Sequence, residues 1–428
     1  MDDLPSAIVV EILSRVNDSS DLARCRLVSR NFRSLSYDVR AISIICSHDR
    51  FARSRAPETR SLTFPFKSVV DNLVSLLRDR QLESLSLGVE EFFTDGNCEF
   101  DESDDLHLTA TDFVSRWLPG IGRQLRLLSI SDLWLQSCWR QSEVLALISD
   151  CCEHLLSLEV RKAWLSVEGL KPMPALASLT LEIIRLDDED LEKMNACFPS
   201  LEHLNLIGVG GLKQPKIHLP RLKTCRWTAS HVPFSIAVHA PLLTDLNLVC
   251  VSPRVLSLRT PSLRRLHLKV KQVGLVEADR LLHLNSLTLD SSSGLQSLLR
   301  SLAAGDDADN EAEEAPLVDL TTAFPNLEEL EMLPSASLDL AAPSAIPKPV
   351  FVPARRRLRR LTLHLQELPI SLAASIYSVL LACGHPQSIV ILLHGNLPNE
   401  EEPSVDSFVS VCANDFPHIK WSWAAGTL

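Results

Sequence analysis

Aromatic residues are scarce in this chain: phenylalanine, tryptophan and tyrosine together make up only 5% of it. Glycine is scarce too, at 14 of 428 residues. Yet 46% of the residues are hydrophobic, so burial must be carried by aliphatic side chains, leucine above all. None of the eleven cysteines stands in Cys-x-x-Cys spacing, and the one close pair is Cys151-Cys152. That excludes a zinc ribbon and a disulfide framework, and the thiols read as buried and reduced. No apolar run has the length that spans a bilayer. The start, Met1-Asp-Asp-Leu-Pro5, lacks the basic and apolar regions of a secretory signal. The expectation is a soluble protein inside the cell, cytoplasmic and/or nuclear.

Excess positive charge is missing as well. The net charge of −12 argues against a nucleic-acid binder. The acidity is local: residues 90–105 hold eight acidic and no basic groups, and residues 306–314 hold six and none. Without these fourteen, 40 acidic groups face 42 basic ones. Both stretches read as solvated insertions, the second within a low-complexity run, 303–316.

Catalytic phrases are absent too. There is no Gly-x-Ser-x-Gly, His-Glu-x-x-His or Gly-x-Gly-x-x-Gly. Gly208-Val-Gly-Gly-Leu-Lys213 lacks the spacer and the Ser/Thr of a phosphate loop, so it reads as a turn. Asp187–Asp190 reads as a helix start, and the thirteen histidines are dispersed. The expectation is no catalytic residue, no metal, no cofactor and no enzyme.

What is present is a recurring phrase, Pro-x-Leu-x-x-Leu-x-Leu. It reads Pro174-Ala-Leu-Ala-Ser-Leu-Thr-Leu181, then returns at Pro199, Pro220, Pro241, Pro261 and, without the proline, at Leu284-Asn-Ser-Leu-Thr-Leu289. The first leucines fall at 176, 201, 222, 243, 263 and 284, in steps of 25, 21, 21, 20 and 21 residues. Pro325-Asn-Leu-Glu-Glu-Leu-Glu-Met332 restores the full phrase. That period is the mark of a leucine-rich repeat. In Leu-x-Leu both leucines face one side of a strand, and stacked copies bury them in one continuous core. A chain of 428 residues outgrows a single globular core, which suits a solenoid. The x residues then form a concave parallel sheet.

Residues 2–41 do not fit the repeat. Pro5 suits a first helical turn, and Ile8, Val9, Ile12, Leu13 and Val16 share one stripe. Ser19 or Ser20 is placed to cap a second helix with Leu22, Cys25 and Val28, and Ser29 a third with Phe32 and Leu35. Three such helices cannot bury enough surface alone. The pattern Leu4-Pro5-x-x-Ile8-x-x-x-Ile12-Leu13, followed by Asp21-Leu22-x-x-Cys25-x-x-Val28-Ser29-Arg30-x-Phe32-Arg33, closely resembles the F-box, with Phe32 where the family more often has Trp. With repeats behind it, the chain resembles a plant F-box/leucine-rich-repeat protein. The resemblance implies docking onto a Skp-family adaptor, and through it a cullin and a RING subunit. Leu4, Pro5, Ile8, Ile12, Leu13, Leu22, Val28 and Phe32 would supply apolar anchors, some turned to the adaptor and some to the box's own core. The repeats would hold a protein substrate for ubiquitination by an SCF-type E3 ligase. A repeat scaffold without a ligase role is the alternative.

The expected fold is α/β: a three-helix F-box at 1–45, a leucine-rich-repeat solenoid at 56–395, and a C-terminal cap at 396–428. Thr59–Phe64 reads as a first, degenerate repeat strand. Helices are expected at 69–80, 110–118, 142–152, 187–197 and 371–383, and a last strand at 389–393. Middle repeats near twenty-one residues are too short for a second-side helix, so short strands are expected at 216–219, 234–238 and 255–258. Substrate contacts are expected on the concave face, at His203, Asn205, Arg226, Asn247, Arg265, His267 and Lys269. Donors prevail there, which points to an acidic or phosphorylated partner segment. Arg355–Arg360 reads as a basic patch of the last concave strands, with nuclear import the other reading.

Overall fold

Each copy of the proline phrase folds as a tight turn followed by a strand. The Leu176 N–H donates to the Met173 carbonyl at 3.2 Å, and the same bond recurs from Leu201, Leu222, Leu243 and Leu263 to the residue before each proline. Proline is thus the second residue of a β-turn, where its fixed φ is already correct. The leucine that closes each turn is no more than 1% exposed. Each new coil then locks onto the previous one. The Ala177 and Ser178 N–H groups both donate to the Leu156 carbonyl, at 2.9 and 3.0 Å, and Arg264 and Arg265 repeat this on Thr244. The period in the sequence is therefore a period of hydrogen bonds.

The computed structural model describes residues 4–16, 18–78, 80–90, 105–133, 139–229, 231–291, 298–299, 301–302, 323–334, 358–365, 386–394, 409–410, 413–414 and 416–425. They divide into two units, Met1–Leu212 and Lys213–Leu428.

The first unit begins with three helices, α1 (Ser6–Val16), α2 (Ser19–Val28) and α3 (Arg30–Leu35). Its strands are β1 (Ala41–Cys46), β2 (Ser84–Val89), β3 (Leu127–Ser131), β4 (Gln141–Ser142), β5 (Ser157–Arg161), β6 (Trp164–Leu165), β7 (Ser178–Glu182) and β8 (His203–Val209). All but the short pair β4 and β6 form one parallel sheet in the order β1-β2-β3-β5-β7-β8. Ile44, Leu87, Ile130, Val160, Leu181 and Leu206 lie side by side in register, a ladder no more than 1% exposed. Helices at Phe66–Leu77, Thr111–Ile121, Val144–Cys151 and Asp188–Cys197 match the expected ones. Asp187 and Asp190 close a capping box on the last, which accounts for that acidic run.

In the second unit the main strands are β10 (Thr224–Ala229), β12 (Asp245–Cys250), β14 (Arg265–Val270), β16 (Ser286–Ser291), β17 (Glu329–Met332), β18 (Arg360–Leu365), β19 (Ser388–Leu393) and β20 (Lys420–Ala425). They pair in parallel in that order. The expected second-side strands are β9 (Lys216–His218), β11 (Ser235–His239) and β13 (Val255–Arg259), joined by β15 (Leu275–Ala278) in a parallel sheet of four.

Two expectations are corrected. The first strand is Ala41–Cys46, ahead of residue 56, whereas Arg60–Leu62 is a single 3-10 turn with Leu62 78% and Phe64 76% exposed. Ile42, Ile44 and Cys46 have the in–out alternation that 59–64 lacks. The tail, expected as a cap after a last strand at 389–393, instead adds β20, with Trp421 beside Ile389 and Trp423 beside Ile391. The acidic stretch between Glu90 and Asp105, the run 303–316, the helix at 371–383 and Arg355 to Arg357 lie outside the described residues. Both ends of the first stretch sit on helix N-termini, those of His48–Arg55 and Phe66–Leu77. Glu90 accepts from the His48 N–H at 2.8 Å, and Asp105 from the Phe66 and Lys67 N–H groups at 2.6 and 3.1 Å.

The Gly208–Gly211 turn has a conformational cause. Lys162, Ile183 and Gly208, one per coil, all take φ between 54° and 63°. Gly211, at φ 94°, lies so close to the previous coil that an added Cβ would collide with the Leu186 carbonyl oxygen. Asp132 pins another connection. Fully buried, its carboxylate accepts from the Leu108 N–H (2.5 Å), the Thr109 N–H (2.9 Å) and the Thr109 hydroxyl. Burial pushes this carboxyl up from 3.8 to about 7, although its hydrogen bonds pull the other way.

Asp132→Ala leaves three buried donors unpaired and is expected to cost about 2–4 kcal/mol in urea unfolding. Between pH 3.8 and about 7 the folded chain holds a proton that the unfolded chain releases. Its contribution to stability therefore falls as pH rises through that window, and Asp132→Asn should flatten that part of the urea-midpoint profile. Gly211→Ala should cost about 2 kcal/mol or more by the same measurement.

Candidate functional site

Two surfaces carry side chains that the fold does not use. The first is the helical head. Asp18, and not the expected Ser19 or Ser20, caps α2 by accepting the Ser20 and Asp21 N–H groups at 2.9 Å, while Ser29 caps α3 through Phe32 N–H at 3.1 Å. Arg26 donates to the Ser36 hydroxyl at 2.8 Å and stacks over Tyr37, and the Arg40 N–H donates to the Ser14 hydroxyl at 3.2 Å. These bonds fix the head to the start of β1.

The wide apolar stripe of α1 is split by this packing. Val9 and Leu13 are 2% exposed and Leu22 is 1%, so they form the core of the head. Leu4, Ile8 and Ile12, at one-turn spacing, are 38%, 47% and 45% exposed. At the end of α2, Leu27 and Val28 are 87% and 72% exposed. Pro5 is exposed and Phe32 half-buried. Of the eight residues singled out for the adaptor, Leu13 and Leu22 thus belong to the head's own core. Leu27, which the sequence reading passed over, is the most exposed of these apolar residues.

The second surface is the sheet face opposite the leucine ladders. In the first unit His203 and Asn205 lie on β8, and Asn205 donates to the Thr180 hydroxyl at 3.0 Å. In the second unit Arg226, Asn247 and His267 stand side by side in one row, continued by Thr288 and Glu331. The expected excess of donors is corrected by pairing. Arg265 is bound to Asp245, and Lys269 Nζ lies 2.9 Å from Asp290 Oδ2. The register sets these acids directly opposite the bases, so most of the charge is compensated within the face. Burial holds His267 below the ordinary histidine range, partly offset by Glu331.

The sequence reading missed two further clusters on this face. Thr288 donates to Glu331 at 3.0 Å, Glu331 bonds His364 Nε2 at 2.7 Å, and His364 Nδ1 meets His394 Nε2 at 2.6 Å. In the first unit Arg161 is gripped by Glu159 at 2.5 Å and Glu182 at 3.2 Å. Each of these residues sits at an x position or a strand end, so register was the missing signal. Arg359 and Arg360 of the expected basic patch lie 3.3 and 3.9 Å from Glu328 and Glu329. The described cysteines are free, and burial pushes the thiols of Cys46, Cys152, Cys225 and Cys250 up to about 12. Among the described residues, no three His, Cys, Asp or Glu side chains are placed to share a metal ion.

Comparison with known proteins gives the family of the chain. Residues 1–42 match the family model described as F-box-like. The chain is 37% identical over 442 residues to the F-box/LRR-repeat protein At4g29420 of Arabidopsis thaliana, spanning 99% of this chain and 97% of that one. It is 26% identical over 232 residues to the F-box protein At1g10780 of the same plant, covering 53% of this chain and 48% of the relative. F-box domains generally bind Skp-type adaptors, and such proteins are generally adaptors and not enzymes. With a capped three-helix head, in-register leucine ladders and a relative matched nearly end to end, this chain belongs to the F-box/leucine-rich-repeat family.

Proposed function

We propose that the chain is the substrate-recognition subunit of an SCF-type E3 ubiquitin ligase. The observation that carries this reading is the open apolar side of the head. Leu4, Ile8 and Ile12 stay accessible beside a core already closed by Val9, Leu13 and Leu22. A small domain gains nothing by exposing a stripe of that kind unless a partner covers it. A Skp-family adaptor is that partner, and it brings the cullin and RING subunits. The open sheet face holds the protein substrate, and transfer is promoted by local concentration and placement. The chain itself makes and breaks no bond, needs no cofactor, and works in the cytoplasm and/or nucleus.

In adaptor capture by the purified chain, Ile8→Asp together with Val28→Asp should reduce recovery about tenfold or more. Leu4→Ala with Pro5→Ala should reduce it less. Equal recovery of wild type and the aspartate variant, with unchanged helical content, would sink the reading. A chain that binds cellular proteins but never an adaptor would be a scaffold without a ligase role.

A further inference from the structure

The open face of the first unit is uneven. Where β1, β2 and β3 cross it, two rows are mostly small: Ser43, Ser86 and Ser129 in one, then Gly88 and Ser131 beside Ile45 in the next. At β5 and β7 the same rows rise into Glu159, Arg161 and Glu182. The step between short and long side chains leaves a hollow of about 520 Å³, within the range of ligand-sized sites. Glu90 stands on its far side, and Ile45, Val89 and Ile183 complete the walls.

The charge of the hollow decides what it takes. Arg161 binds a single oxygen of Glu159, Oε1, through Nε at 2.6 Å and Nη2 at 2.5 Å, and it reaches Glu182 Oε2 at 3.2 Å. An anion would have to displace a carboxylate already seated on this guanidinium. The lining holds three carboxylates, those of Glu90, Glu159 and Glu182, against two cations, Arg161 and Lys162. Among the described residues each carboxylate is engaged through one oxygen, and the second oxygen of a carboxylate can accept from a further donor. The serine hydroxyls of the floor accept hydrogen bonds from the same kind of group.

We propose that this hollow receives a lysine or arginine side chain of the substrate segment, so that the first unit reads a basic residue. The inference rests on the substrate-receptor reading and names the chemistry of its substrate. It reverses the expectation of an acidic partner drawn from the donors of the second unit, which Asp245 and Asp290 largely neutralise.

The test uses the full-length chain and fluorescent peptides that differ only at a central residue, Arg, Lys, Gln or Glu. The Arg and Lys peptides should bind about tenfold more tightly than the other two, and the difference should shrink with added salt. Glu159→Gln with Glu182→Gln should abolish the preference by removing charge. Ser129→Phe should abolish it by filling the floor while leaving every charge in place. Variants are compared at equal melting temperature and equal adaptor capture. Equal binding of all four peptides, or a preference that survives both variants, would overturn the proposal. So would free arginine competing at the same concentration as the peptide. A chain that captures the adaptor yet ignores the central residue defeats this inference alone, whereas loss of adaptor capture by the wild type defeats the ligase reading instead.

Discussion

The structure depends on one repeated bond, the donation from the leucine N–H that closes each proline turn. With that turn set, the next two N–H groups reach the carbonyl of the preceding coil, as Ala177 and Ser178 do on Leu156. The leucines then fall in register by necessity, because side chains two apart share a face. No single coil could bury its leucines, so each is stable only on its neighbours. This is why the phrase tolerates Cys225 and Trp227 in place of two leucines but keeps Leu222 closing the turn.

The same register writes the chemistry of the opposite face. Positions between the leucines come to lie in straight rows, and a row is read across strands far apart in sequence. Thr288, Glu331, His364 and His394 are separated by tens of residues, yet form one continuous hydrogen-bonded chain. Asp245 meets Arg265, and Lys269 meets Asp290, for the same reason. Exposed pairs of this kind add little stability. What they change is the charge the face presents, which is smaller than its donor count suggests.

Much of the fold was legible. The proline phrase located β7, β8, β10, β12, β14 and β17, and loop length correctly replaced helices with β9, β11 and β13 on the second side. The head was legible from its helix spacing. Ala41–Cys46 escaped notice because it has neither the proline nor a leucine, only alternation. β20 escaped because Pro417-His-Ile419-Lys-Trp421-Ser-Trp423 is one residue shorter than the phrase, although the Ile419 N–H still donates to Phe416 at 3.1 Å. The candidate sites were harder. Sequence shows which residues point outward, but the pairing of Arg161 with Glu159 and Glu182 exists only once neighbouring coils are in contact. Asp132 gave no sign at all, since nothing local marks an aspartate that will be enclosed by a loop more than twenty residues upstream.

The split stripe of α1 also bears on how such a chain survives between its own synthesis and assembly. Ile8 and Ile12 of that stripe, together with Leu27 and Val28 at the end of α2, are the kind of surface that chaperones hold and that promotes clumping when copies crowd together. Anything that covers the stripe adds its binding energy to the folded state by mass action. A head built this way ties the stability of the folded chain to whatever covers it.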